Sequence, residues 1–164
     1  MAAGNTYVPI TTQTLGSVTA SVTFNSFSGY TDLIIVSNAR RGITSSGEAS
    51  FGITLNGDTG SNYSSTLLYE PPGSARLANQ SNMGYLGSAG DGANCYNVFH
   101  FMNYANTTTQ KTVLNRHGYV LGNNITRYAV GLWRSTAAIT SITFTPANGF
   151  EAGTNFTLYG ILAA

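Results

Sequence analysis

The chain is 164 residues long, 42% hydrophobic and 12% aromatic, yet only 8% charged, with seven Lys or Arg against six Asp or Glu. That length fits one domain able to bury a core without staples, and a lone cysteine, Cys95, gives no disulfide framework of the secreted kind. A formal net charge of +1 excludes the basic face of a nucleic-acid binder, no apolar run approaches the ~20 residues of a helical membrane span, and so few titratable groups leave little from which to assemble a catalytic cluster.

Residues 1–14 form a largely polar lead in which Tyr7, Val8, Pro9 and Ile10 stand out. Met1 to Asn5 lack the basic and apolar regions of a signal peptide. Pro9 pre-sets an extended backbone, so this segment is expected to leave the domain as an N-terminal arm that contacts a neighbouring chain. An edge strand of the chain's own sheet is the alternative. Residues 15–164 read as one β-sandwich domain.

Val18, Ala20, Val22 and Phe24 alternate with Ser17, Thr19, Ser21 and Thr23, the period of a half-buried strand. Leu33-Ile34-Ile35-Val36 is a continuous apolar run, expected to be covered on both faces. Arg40-Arg41-Gly42 follows it at a loop edge, where the two arginines are solvated or salt-bridged to a neighbouring subunit. Phe51, Ile53 and Leu55 alternate again and stop at Asn56-Gly57-Asp58, which reads as a type I′ hairpin turn because Asn-Gly accepts positive φ. The oxygen-rich run from Asn56 to Asn62 has a single carboxylate and no closing Glu, a poor calcium loop beside that turn reading. Shorter strands are expected at 67–69, 98–102 and 112–116. Pro71 to Asn97 reads as long loops. The most regular strands come last, at 127–134, 139–145 and 156–162, the final two separated by Pro146 and Asn148-Gly149.

These short strands, spaced by Gly, Asn and Ser with no capped helix among them, predict an all-β fold: an antiparallel β-sandwich, jelly-roll-like. The expected core includes Phe24, Ile35, Ile53, Leu132, Phe144 and Leu158.

Candidate chemistry is sparse. His100 falls between Phe99 and Phe101 on the opposite strand face, and neither it nor His117 has a Cys, Asp or Glu within four residues, so both read as structural. Cys95 reads as small buried filler, lacking an identifiable base and orienter. The six carboxylates are scattered singly, giving no reason to choose a hydrolytic pair. Five Asn-x-Ser/Thr matches, at Asn62, Asn79, Asn106, Asn124 and Asn155, are discounted as chance in so Asn- and Thr-rich a chain. No catalytic, cofactor-binding or metal-ligating residue is assigned. Ten tyrosines suit an interface, where large area comes with little entropy loss and a hydroxyl handle. Capping the ends of the sandwich suits them equally.

Three blocks occur together: Thr6-Tyr7-Val8-Pro9-Ile10 leading to Gln13-Thr14-Leu15-Gly16-Ser17, Leu55-Asn56-Gly57-Asp58-Thr59-Gly60-Ser61-Asn62-Tyr63-Ser64, and the tail from Gly131-Leu132-Trp133-Arg134 through Thr157-Leu158-Tyr159-Gly160-Ile161. This combination resembles small virion structural proteins of tailed bacteriophages, some of them terminal domains of longer fibre-like chains. The resemblance covers under half of the chain. It implies a non-enzymatic virion protein, made in the host bacterial cytoplasm, with the major capsid protein or other virion proteins as partners and a homo-oligomeric state. Neither nucleic acid nor membrane is expected as a partner, and no cofactor. Without a coiled-coil or collagen-like shaft, capsid decoration or cementing is the first expectation, and a tail-fibre or tail-tip domain recognising host-surface glycan the alternative. The expected partner interface comprises Tyr7, Val8, Pro9, Ile10, Arg40 and Arg41.

Overall fold

The computed structural model describes residues 6–41, 48–69, 73–91, 93–121 and 123–162. Among them there is no helix, and the chain folds as two β-layers. The strands are β1 (Tyr7–Thr14), β2 (Val22–Phe24), β3 (Asp32–Arg41), β4 (Glu48–Leu55), β5 (Tyr63–Tyr69) and β6 (Gly73–Gln80). They continue with β7 (Gly87–Asp91), β8 (Cys95–Phe101), β9 (Lys111–Leu121), β10 (Asn123–Trp133), β11 (Ile142–Thr145) and β12 (Asn155–Ile161).

One large antiparallel sheet runs in the order β1-β12-β3-β8-β9-β10-β5-β6. A smaller sheet, β2-β11-β4-β7, covers its inner face and joins it through a short parallel contact, Arg40 to Gly90 and Arg41 to Asp91. The layers meet through phenylalanines: Phe51 on β4 lies 6.0 Å from Phe99 on β8, and Phe144 on β11 lies 5.1 Å from Phe156 on β12, centroid to centroid. Edge-on and tilted rings at such separations are favourable beyond their area alone. The architecture is an antiparallel sandwich, compatible with a jelly-roll path.

Phe24, Ile35, Ile53, Phe144 and Leu158 are buried as expected. Leu132 is not. In β10 the inward positions are Ala129, Gly131 and Trp133, which leaves Leu132 half-buried on the outer face. Because the side-chain period is two, choosing the wrong neighbour reverses the face, and here the larger ring of Trp133 takes the inside.

The segment expected to leave the domain as an arm lies instead along β12. Tyr7 pairs with Ile161 and Thr14 with Asn155, and a bulge between Pro9 and Thr11 turns Ile10 toward the core. It is the edge strand of the alternative reading, and an edge tolerates Pro9 because the missing N–H is not needed there. Residues 1–5 of the expected arm lie outside the described residues.

The Asn56-Gly57 turn has the positive φ values expected of it, 54° and 67°, and Asp58 N–H closes it on the Leu55 carbonyl at 3.0 Å. It does not make a hairpin. β4 pairs with β11 and β7 while β5 pairs with β10 and β6, so the turn carries the chain from the small sheet to the large one. The stretch from Pro71 to Asn97, expected to be loops, supplies β6, β7 and the start of β8; Pro71 and Pro72 lie outside the described residues. Of the strand expected at 18–24 only Val22–Phe24 forms, and Val18 is exposed.

Candidate functional site

The large sheet has one face toward the core and one free of the second layer, and strand parity decides what each face carries. On the outer face, cross-strand pairing lines up Tyr159, Ile34, His100, Leu114, Val130 and Thr66 in one row. Thr157, Val36, Val98, Arg116, Tyr128 and Leu68 form the next. Two adjacent rows of branched and aromatic side chains on a twisted sheet frame a groove of about 640 Å³. Its lining includes Tyr7, Ile34, Val36, Val98, Leu114, Arg116, Tyr128 and Leu68. Tyr7 and Tyr128 are 59% and 58% exposed, far more than rings held for core packing.

Polar groups sit at defined points of this face. His100 Nε2 lies 2.7 Å from Asp32 Oδ2, and Asp32 Oδ1 accepts the Asn103 backbone N–H at 2.7 Å. His100 thus points outward, opposite Phe99 and Phe101, as the alternation predicts. Arg116 is exposed between its cross-strand neighbours Val98 and Tyr128.

A second polar cluster lies inside the sandwich. Ser88 on β7, Asn97 on β8, and Asn115 and His117 on β9 are all buried. Ser88 Oγ is 3.2 Å from His117 Nε2, and His117 Nδ1 is 3.0 Å from Asn115 Nδ2. The set superficially matches a serine–histidine–amide arrangement, but its proton positions are wrong for catalysis. Asn115 Nδ2 also donates to the Leu86 carbonyl, which fixes it as the amide nitrogen, so His117 Nδ1 accepts and Nε2 carries the hydrogen. A ring that donates to Ser88 cannot take its proton. Burial pushes the His117 pKa down to about 4 and the Cys95 thiol up to about 12, so the imidazole stays neutral and the thiol unreactive at neutral pH. Asn97 completes the network, its Oδ1 accepting Ser88 N–H at 3.1 Å and its Nδ2 donating to the Ser88 carbonyl at 3.0 Å. These groups tie β7 to the large sheet.

The loop between β4 and β5 is likewise satisfied from within. The Trp133 indole N–H at 2.7 Å, with the Asn62 amide and the Gly60 N–H, holds the Asp58 carboxyl below the usual carboxylate range. A carboxylate that already accepts three donors suits a loop clamp better than a calcium ligand. Tyr63 stacks on Trp133 at 6.3 Å, and its hydroxyl bonds Leu55 and Asp58. Among the described residues no group of three or more His, Cys, Asp or Glu side chains converges on a metal position.

The interface residues expected from sequence are not brought together. Tyr7 reaches the groove, Val8 is half-buried, Pro9 is exposed and Ile10 packs on the core. At the far end of β3, Arg40 pairs with Glu151 at 3.2 Å within the same chain, and Arg41 is buried. Sequence reading missed Val98, Leu114, Arg116 and Tyr128. The alternation in 112–116 and 127–134 marks them as one face each, but only the register between β8, β9 and β10 makes them neighbours.

No protein-family model matches the chain, and neither does any curated protein. Among solved structures, a scytalido-glutamic peptidase bound to a transition state analog inhibitor has 12% identity and a TM-score of 0.25, covering 89% of this chain and 65% of its own. A family two carbohydrate esterase from Cellvibrio japonicus has 12% identity and a TM-score of 0.19, covering 96% of this chain and 35% of its own. A legume lectin-like domain from Entamoeba histolytica has 10% identity and a TM-score of 0.20, covering 98% and 86%. Likeness at this level carries no argument about what the chain does.

Proposed function

We propose that this chain is a non-enzymatic binding protein of a tailed-phage virion, and that it recognises host-surface glycan through the outer face of its large sheet. The observation that carries the reading is the groove. About 640 Å³ of open concavity, rimmed by exposed tyrosine rings with an Arg and a Thr among apolar side chains, has the size and mixture of a small-ligand site. Tyrosine rings stack on the C–H faces of sugars, and the polar groups between them hold hydroxyls in register. The paired Ser88 and His117 are sealed in the core with the hydrogen on the wrong nitrogen for a nucleophile and its base, which supports a binding role over a hydrolytic one.

Capsid decoration is the second reading, favoured by β1, an edge strand that pairs on one side only, with β12, among the described residues. Such an edge can pair with a neighbouring subunit, and capsid symmetry would repeat that weak contact many times. Copy number in purified virions, counted by quantitative mass spectrometry, tests the choice. A few copies per particle supports recognition at the tail; hundreds of copies supports the shell and contradicts the first reading.

A further inference from the structure

The groove is not electrically neutral. Arg116 stands in the middle of its second row, flanked by Val98 and Tyr128, exposed and without a carboxylate partner among the described residues. Arg76 on β6 lies cross-strand from Thr66 and is exposed on the same face. Asp32, which reaches this face through His100, has both oxygens engaged, one by the imidazole and one by the Asn103 N–H. Among the described residues, then, the groove offers an unengaged guanidinium at Arg116, whereas both oxygens of Asp32 are already taken up by hydrogen bonds.

In a chain with only seven Lys and Arg, a guanidinium between an aliphatic and an aromatic side chain has a specific use. Its planar fork takes two oxygens of a carboxylate or phosphate at once, and low-dielectric walls strengthen the pair. We infer that the groove binds an anionic saccharide, with a sugar ring stacked on Tyr128 and its carboxylate or phosphate on Arg116. This rests on the glycan-recognition reading and narrows it to a chemical class. The volume suits a few linked rings, whereas a protein partner of ordinary size covers about 800 Å² of each surface. The two sources of the anion share the Arg116 contact and differ only in the group presented.

Trigalacturonate, its fully methyl-esterified form and a mannose 6-phosphate trisaccharide, titrated into the isotope-labelled full chain and followed by amide chemical shifts, test the inference. Trigalacturonate or the phosphorylated sugar should shift the amides of Val98, Leu114 and Tyr128, and whichever binds identifies the anion. The neutral ester should bind at least about tenfold more weakly, and Arg116→Gln should reduce the anionic ligand to the level of the ester. Raising the salt concentration should narrow the same gap. Because Arg116 is exposed, the variant should keep the wild-type melting temperature, so that loss of binding is not loss of fold. Equal binding of acid and ester in this groove would overturn the anion inference while leaving glycan recognition standing. Failure of every saccharide, neutral ones included, would overturn both. So would a concentration-dependent dimer whose protected amides map to this face, since the occupant would then be a second copy.

Discussion

His117 shows how far a residue's role depends on what faces it. In the unfolded chain its imidazole takes a proton near pH 6.5, whereas in the fold it does so only near 4, because burial disfavours the charged ring. Between those values the unfolded state binds more protons, so stability is full above pH 6.5 and falls as the pH drops toward 4. The difference corresponds to about 3 kcal/mol, lost over that window and not recovered below it. Urea unfolding at pH 7.5 and at pH 4 should reveal this loss in the wild type. His117→Gln should start less stable at pH 7.5 but lose much less on acidification. An identical pH slope in both proteins would mean that His117 does not carry the effect. That His100 points outward was legible from its place between two phenylalanines. The surroundings of His117 were not, because its partner Ser88 belongs to β7, a strand of small residues with no strand signature of its own.

Elements were legible where their two faces differ in kind. β8 and β12 place Phe99, Phe101, Phe156 and Leu158 at alternating inward positions, and β9 and β10 show the same alternation through the branched and aromatic residues of their outer face, Leu114, Tyr128 and Val130; sequence alternation located part of all four. β6 and β7 were lost because Gly, Ser and Ala dominate them and their pairing comes from neighbours rather than propensity. Parity inside β10 is a sharper case, and mutation resolves it. Ile53→Ala, in the core of β4, should cost about 2–5 kcal/mol in equilibrium unfolding. Leu132→Ala, on the outer face, should cost under about 1 kcal/mol; equal losses would put Leu132 in the core and reverse the face assignment. The edge strand gives the element its own test. Deleting residues 1–12 removes most of the pairing to β12 and the cover from Ile10, so the melting temperature should fall by about 5 °C or more. A melting temperature unchanged by the deletion would restore the free arm.

At the scale of the molecule, the two faces of the large sheet divide the work. The inner face is closed by the second layer and holds the phenylalanine core together with the Ser88–His117 network, in which Ser88 bonds both Asn97 and His117 while Asn115 Oδ1 is buried without a hydrogen-bond partner among the described residues. The outer face keeps Tyr7, Tyr128 and Val130 exposed, in a chain with few charges to keep such surface apart. The strand pattern was enough to predict a β-sandwich. The groove proposed to bind glycan was not readable, since it is assembled from β1, β3, β5, β8, β9 and β10, brought together only by sheet order. Its test is direct: binding of the purified chain to an array of bacterial surface glycans, compared with Tyr128→Ala and with Val18→Ser, a change at an exposed residue outside the groove lining. Glycan recognition in the groove predicts that wild type and Val18→Ser bind the same glycans and that Tyr128→Ala loses at least about tenfold, the loss of a stacking ring. Binding that survives in Tyr128→Ala, or that fails in all three proteins, would contradict it.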